Sequence, residues 1–580
     1  MTTASSQLFR AAAWFNPFSG GLAYGIIVVI FDLVSIVILN YTFSTLRYRH
    51  AQRLAAVGEA KLPPQFPFLI PFIGPIFKLW WDHGKFIREL SFFEGRLTSN
   101  KLTILGHTFY SFQDRETIEN LFKQSSLSSP IHMYGFVSAN LLGLSKKTMS
   151  IYRADDSGPF PKPHPASGVL PHNRIDWVTH HTIFPGLAGP GLQPTTTRFV
   201  KSLQGQLQDL LITEEWSSKN DLAQLFREVI GASALKSILG PTIFRLNPSF
   251  VEDMFTFDKI FPKFAPGLPA FMMPETYRSR DRLVNQFKDW YRFAREHFDP
   301  SKIDEDGDGD PFWGSGMMRS RQENILKVDE HDDDALARVD LGLAWATIGN
   351  VVLSAMFSSF HIFKDKELLG RVRQDVQQYL GQTSVYEADP AQLAKNVPLL
   401  SSIYAETLRV YIKVYSAFGS AHEEVNLGKW RLPRGALAVI SSEPSHMDPN
   451  FWNTQNGEHP VQSFWADRFI VDPSSPESGP VSPSHRKRVP KPEKENDDAP
   501  FFSMEGCEGA WIPYGGGYSM CPGRFFARNI IVLTSAILAT ECDVEVDGFP
   551  EFTKNRYGMG VEDLKAALPF RIRKRARSHE

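Results

Sequence analysis

The stretch "WIPYGGGYSMCPGRFF", residues 511–526, surrounds one cysteine with four glycines and two prolines. The chain has only two other cysteines, at 507 and 542, and no CxxC pair, so neither a disulfide scaffold nor a structural zinc cluster is expected. Cys521 is left free for chemistry. A thiolate that ligates a haem iron must bring its backbone almost flat against the macrocycle, and bulky neighbours would block the approach. Gly515, Gly516, Gly517 and Gly523 remove that obstruction and permit unusual φ values. The following "PGRFFARNIIVLTSAIL" reads as a helix beginning near Pro522, where proline is pre-organised for a first turn. Its free amides and partial positive charge are expected to lower the thiolate pKa.

"YGGGYSMCPG" resembles the haem-binding signature of the cytochrome P450 superfamily: an aromatic (here Tyr514 in place of the usual phenylalanine), two residues, Gly517, three residues, Cys521, one residue, Gly523. Two companions follow the family's order. "ETLR", Glu406 to Arg409, matches the Glu-x-x-Arg of the K helix, whose i, i+3 spacing puts both charges on one helical face. "HMDPNFW" and "FWADRF", within 446–469, match the meander, whose Arg468 would complete a buried, structural Glu406, Arg409, Arg468 cluster on the thiolate side of the haem. The resemblance runs from the proline-rich segment to about Phe570 and implies a mainly α fold with small β-sheets, carrying haem b with Cys521 as axial iron ligand.

Some details depart from the common pattern. In "WATIGNVVLSAMF", 345–357, Gly349 and Asn350 stand where most members carry an acidic residue and threonine for proton delivery, and these two are the candidate catalytic residues. That feature, with Ser519 where arginine or histidine is usual, resembles the branch containing cholesterol 7-alpha-hydroxylase, sterol 12-alpha-hydroxylase and prostacyclin synthase, in the style of fungal secondary-metabolite members. Another donor must then hold the haem propionates. Trp177 and His181 in "RIDWVTHH" match loosely the tryptophan-to-basic spacing of the family's C helix, and a structural histidine is an equal alternative.

The resemblance implies an oxidoreductase, a monooxygenase that oxidises a lipophilic terpenoid, steroid or polyketide with dioxygen and with electrons from NADPH through a reductase, cytochrome b5 being an additional donor. Asn350 cannot ionise, so protons would travel through ordered water. The alternative is a reductase-independent isomerase or dehydratase acting on a peroxide, as in prostacyclin synthase; a catalytically idle haem protein has nothing in the sequence to support it. Largely apolar stretches at 130–145, 342–350, 410–419 and 555–561 are expected to line the substrate pocket.

The elements that must position these residues begin with residues 1–20, expected on the lumenal side. Gly21 to Phe43 is long and apolar enough for a transmembrane helix despite Asp32. Arg47, Arg49 and Arg53 follow the span while only Arg10 precedes it, which keeps the carboxyl-terminal bulk cytosolic, as a single-pass protein of the endoplasmic reticulum membrane. Residues 44–75 form this basic flank and a proline-rich strap, expected to hold the anchor off the body. Residues 76–580 form the catalytic domain. Within it 196–211, 221–239 and 334–363 have helical periodicity, and 472–500 reads as a disordered insertion. The aspartates at 304, 306 and 308 mimic a calcium loop that fails at Ser315. A net charge of −2 gives no reason to expect a nucleic-acid partner.

Overall fold

The computed structural model describes residues 17–54, 60–70, 74–104, 106–127, 135–488, 490–491, 499–553 and 556–576. Expectations for 1–16, 55–59, 71–73, 130–134, 492–498 and 555 lie outside the described residues.

Helix α1, Pro17–Leu54, exposes its Ile, Val, Leu and Phe side chains from Ile26 to Phe43 and is long and apolar enough to cross a membrane. It does not stop at the basic flank. Its last turns dock on the body, where Gln52 donates to the Ser99 carbonyl at 2.9 Å and accepts from Thr98 Oγ1 at 2.6 Å, and Tyr48 packs edge-on against Phe66 and Phe93. The proline strap pairs with the body as well, Phe66 N donating to Lys101 O and Lys101 N to Pro64 O. The expectation that the strap holds the anchor away is therefore corrected. Gln52, a two-way amide in an otherwise basic run, ties the helix down.

A five-stranded sheet has the order β5-β3-β4-β2-β1, where β1 is Asn100–Ile104, β2 His107–Ser111, β3 Ile412–Gly419, β4 Leu437–Ser441 and β5 Met559–Val561. All its pairings are antiparallel except β2 with β4. Helices make up the rest of the core. The ones that position the site are α2 (Ile175–Leu187), α3 (Leu192–Asp209), α4 (Phe250–Ile260), α5 (Asp333–Gly349), α6 (Val351–Lys364), α7 (Pro398–Tyr411) and α8 (Arg524–Glu541). In α8 every residue from Asn529 to Ala539 is buried, and α6 is nearly as apolar all round. Helices without a polar face belong at the centre, and these two pack on each other there.

Two helices expected to be continuous are interrupted. The 334–363 segment breaks at Asn350 into α5 and α6; it is mostly buried, as a core helix is. The 221–239 segment contains a π turn at Arg227–Gly231. The insertion is corrected too, because its first part is folded. Arg486 donates to the carbonyls of Pro476, Ser478 and Val481, Asn453 reaches Glu477 O and Gly479 O, and Val481 is buried. Composition suggested disorder, but one arginine satisfying three carbonyls closes the loop on itself.

Candidate functional site

Cys521 sits at the end of a loop fastened to α7. The indole N–H of Trp511 donates to Ala405 O at 3.0 Å, Tyr514 Oη lies 2.9 Å from Tyr404 Oη, and Ile512 N donates to His446 Nε2 at 3.1 Å. The Cys521 amide closes the loop on Tyr514 O at 3.1 Å. Gly515 and Gly517 have φ of +70° and +65°, in the left-handed region, and a methyl on Gly516 would overlap the ring of Phe122. Helix α8 starts at Arg524 with Gly523 as its cap, not at Pro522, which belongs to the turn.

Cys521 is an exposed residue, yet its sulfur has protein close around it. Burial raises the Cys521 thiol pKa, and the amides of Gly523 and Arg524 lower it only in part. The expected lowering by the helix start is thus outweighed by desolvation. A metal cation at the sulfur would supply the missing positive charge, since a coordinating thiol is deprotonated outright.

Behind the loop lies the acid-base cluster. Arg409 grips Glu406 through two bonds of 2.7 and 2.8 Å, Arg468 Nε reaches the same carboxylate at 3.0 Å, and all three side chains are wholly buried. Trp465 N adds a fourth bond at 3.1 Å. Burial pushes the Glu406 carboxyl up, but the two guanidiniums outweigh it and its pKa is lowered. Arg409 Nη1 also donates to His446 O at 2.8 Å, and the ring of His446 receives Ile512 N, so the cluster is wired to the cysteine loop through one residue.

The helix break lies at the other candidate position. Gly349 O accepts from Arg556 Nη2 at 3.3 Å, and Asn350 Oδ1 accepts from Val561 N at 3.0 Å. With its oxygen committed to a backbone donor, Asn350 offers only Nδ2 to a water or a substrate oxygen. A methyl on Gly560, whose φ is +136°, would collide with that amide. Arg556 pairs with Asp258 of α4 at 2.9 Å, and Trp345 Nε1 donates to the same carboxylate at 2.8 Å while its ring stacks on Phe261 at 3.8 Å. Ala346 is exposed although its helix is mostly buried, so this part of α5 borders open space.

Sequence reasoning missed Asp258, Trp345 and Arg556. A carboxylate in the largely apolar "MFTFDKIF" was a signal, but its partner lies 298 residues away. Trp177 and His181 stack on each other at 4.5 Å, with Arg174 over the indole, on α2, and Leu187 at the end of that helix lies 3.7 Å from where a methyl on Gly523 would be. Arg174 itself is consumed by four neighbours, Ser157 Oγ and the carbonyls of Gly158, Phe160 and Pro161. His180 is half-buried with its ring nitrogens enclosed and without a hydrogen bond, Nδ1 lying 4.0 Å from Asp176 Oδ1, and Arg528 Nε and Asn529 Oδ1 of α8 are buried without hydrogen-bond partners. An accessible sulfur in a glycine cradle, with unpaired polar atoms on the helices beside it, fits a haem.

The mainly helical body with its five-stranded sheet is a cytochrome P450 fold. A retinoic acid-bound cyanobacterial CYP120A1 superposes with a TM-score of 0.57 at 17% identity, over 89% of this chain and all of that one. No family model matches the chain. It is 29% identical to the cytochrome P450 monooxygenase efuG of Hormonema carpetanum over 94% of its own length and 96% of that protein's, and 28% identical to fsoE of Humicola fuscoatra over 90% of each. The human 7-alpha-hydroxycholest-4-en-3-one 12-alpha-hydroxylase is 24% identical over 55% of this chain and 58% of its own. The fold is that of the cytochromes P450, and over nearly its whole length the chain is similar to cytochrome P450 monooxygenases, which are oxidoreductases.

Proposed function

We propose that this protein is a membrane-anchored haem-thiolate monooxygenase that oxidises a lipophilic terpenoid, steroid or polyketide in fungal secondary metabolism. Cys521 would hold the haem iron, and Gly517, Gly523 and Tyr514 shape its loop. The observation that carries the reading is this single cysteine, held on a glycine loop that is bonded at three points to α7 and to His446. When bound there, haem supplies oxygen activation, to which thiolate ligation contributes electron density. The chain's own residues do the rest. The loop holds the sulfur in place, the Glu406, Arg409, Arg468 cluster keeps the loop's support rigid, and Asn350 Nδ2 orders a water or a substrate oxygen beside the break. Protons then move through water, because no carboxylic acid stands at that position.

Haem b, NADPH through its reductase, and a cytosolic catalytic domain on the endoplasmic reticulum follow from the same reading. The apolar α1 and the basic residues after it support the anchor. The relatives named above support oxidation over isomerisation, since each is a monooxygenase or a hydroxylase by name.

Reduced, carbon monoxide-treated protein tests the ligand: a thiolate-type Soret shift is expected, and an imidazole-type band would overturn Cys521. Microsomes holding the protein and a reductase, given extract from a strain lacking the gene, test the reaction. Product is expected only with NADPH, and product formed without it would establish the isomerase instead.

A further inference from the structure

Where α1 leaves its apolar stretch it forms one wall of a groove. Asn40, Ser44, Arg47, Tyr48 and Ala51 recur at helical spacing on one face, and that face, the strap and β1 enclose about 610 Å³. The strap contributes apolar Leu62 and Phe66, and β1 contributes Lys101 and Thr103. Arg47 lies against the ring of Phe43 at 5.7 Å, and neither Arg47 nor Lys101 has a carboxylate at ion-pair distance among the described residues. Arg53, about a turn and a half further along α1, meets Glu94 instead, at 2.5 Å.

The position decides what such a groove would hold. The apolar stretch ends at Phe43, and Arg47 follows about one turn later, roughly 6 Å along the helix, which is headgroup depth if α1 spans a bilayer. Two uncompensated cations at that depth attract a phosphate, and the apolar wall beside them suits the upper part of an acyl chain. Free phosphate would leave that wall unused. A neutral lipophile would leave both cations unpaired.

We propose that this groove is a binding site for one anionic phospholipid. Its phosphate is held by Arg47 and Lys101, its glycerol and ester oxygens meet Asn40, Ser44 and Thr103, and its chains lie along the exposed apolar face of α1. The site rests on the membrane-anchored reading, and its lipid sits between the anchor and the catalytic body.

The test uses the full-length holoprotein. Flotation with phosphatidylcholine vesicles comes first; a chain that stays with the soluble fraction overturns the anchor, and the site with it. The protein is next extracted from vesicles of phosphatidylcholine mixed with phosphatidic acid, and the lipid it retains is counted by mass spectrometry. Enrichment of phosphatidic acid is expected, falling about fivefold for Arg47→Gln and further for Arg47→Gln with Lys101→Gln, while both variants still float and keep their haem spectrum. Floating protein that retains the two lipids in the ratio of the vesicles overturns the site alone. So does enrichment that the double variant leaves unchanged, or that a neutral sterol displaces as well as phosphatidic acid does. Competition by inorganic phosphate equal to that by the lipid would show a phosphate site only, and would also overturn it.

Discussion

The cysteine loop and the helix break at Asn350 are both held by buried arginine-carboxylate pairs, but they are built differently. At the loop, the charges come from one helix and the nearby meander, Glu406 is shared by two guanidiniums, and one arm, from Arg409 to His446 O, leads on to the cysteine loop. At the break, one pair joins three distant segments: Asp258 on α4, Arg556 before β5, and Gly349 of α5. The first arrangement is a support with no moving neighbour. The second links α4 to the segment before β5 and to the end of α5, so a displacement of any one is felt by the other two. Under the proposed function, rigidity belongs at the loop, where the cysteine would hold the haem iron.

The greatest effect is expected from Cys521→Ala, which should abolish turnover and remove the thiolate-type carbon monoxide band. A variant that keeps that band would transfer the ligand role elsewhere and end the comparison.

Glu406→Ala comes next. It leaves two wholly buried guanidiniums without a counter-charge, and breaking a buried pair in this way costs about 3 to 5 kcal/mol. Little folded holoprotein should be recovered, as read by haem content per chain, and full recovery would refute the structural role. Acid should act on the same region. Burial lowers His446 to about 3 and His361 to about 4, against an ordinary value near 6.5. Below about pH 6.5 the unfolded chain takes up protons that the folded chain refuses, so stability falls with pH until the folded values are reached. The carboxyl of Glu406 adds to this at lower pH, because the stability that it contributes is present above the ordinary carboxylate range and is lost as pH falls through its lowered folded value. Thermal unfolding from pH 7 down to pH 4 checks the slope, and His361→Gln should flatten it.

The break should respond less, and asymmetrically. Asp258→Asn strands Arg556, which cannot shed its charge, at a cost of about 3 kcal/mol. Arg556→Gln strands Asp258, whose pKa burial already raises, so the carboxyl can protonate and the loss should be smaller. Both variants should keep the thiolate band, which Glu406→Ala would not. Equal melting temperatures for the two would show that Asp258 stays ionised without its partner.

This contrast also governs what could be read from the sequence. Glu406 and Arg409 are three residues apart on one helix, and the cysteine loop is a continuous run of glycines, so local spacing was enough to find them. The fold class followed from the same motifs. Local spacing could not reveal that Asn350 ends a helix, because that depends on Val561 N and Arg556 arriving from more than 200 residues away. Nor could it give the balance at Cys521, where the amides of Gly523 and Arg524 were anticipated but the surrounding burial was not. Gln52 was overlooked for a similar reason. In the sequence it is one polar residue among several, and only Thr98, Ser99 and Asn100 make it a tether.

The smallest structural effect, and the finest test of the break, is Asn350→Asp. An aspartate oxygen can still accept from Val561 N, so the geometry should survive, with a stability change of about 1 kcal/mol or less. What changes is the other half of the side chain: the N–H donors become an oxygen that can carry or release a proton. Under the proposed reaction, product formed per NADPH consumed should therefore shift, and turnover should acquire a new pH dependence, while the carbon monoxide spectrum stays the same. Asn350→Leu supplies the control. It removes the acceptor and leaves Val561 N unpaired at a cost of about 1 to 3 kcal/mol, so it should loosen the break itself. If Asp and Asn give the same product yield per NADPH and the same pH profile, Nδ2 takes no part in proton movement, and the residue serves only to end α5 and hold β5.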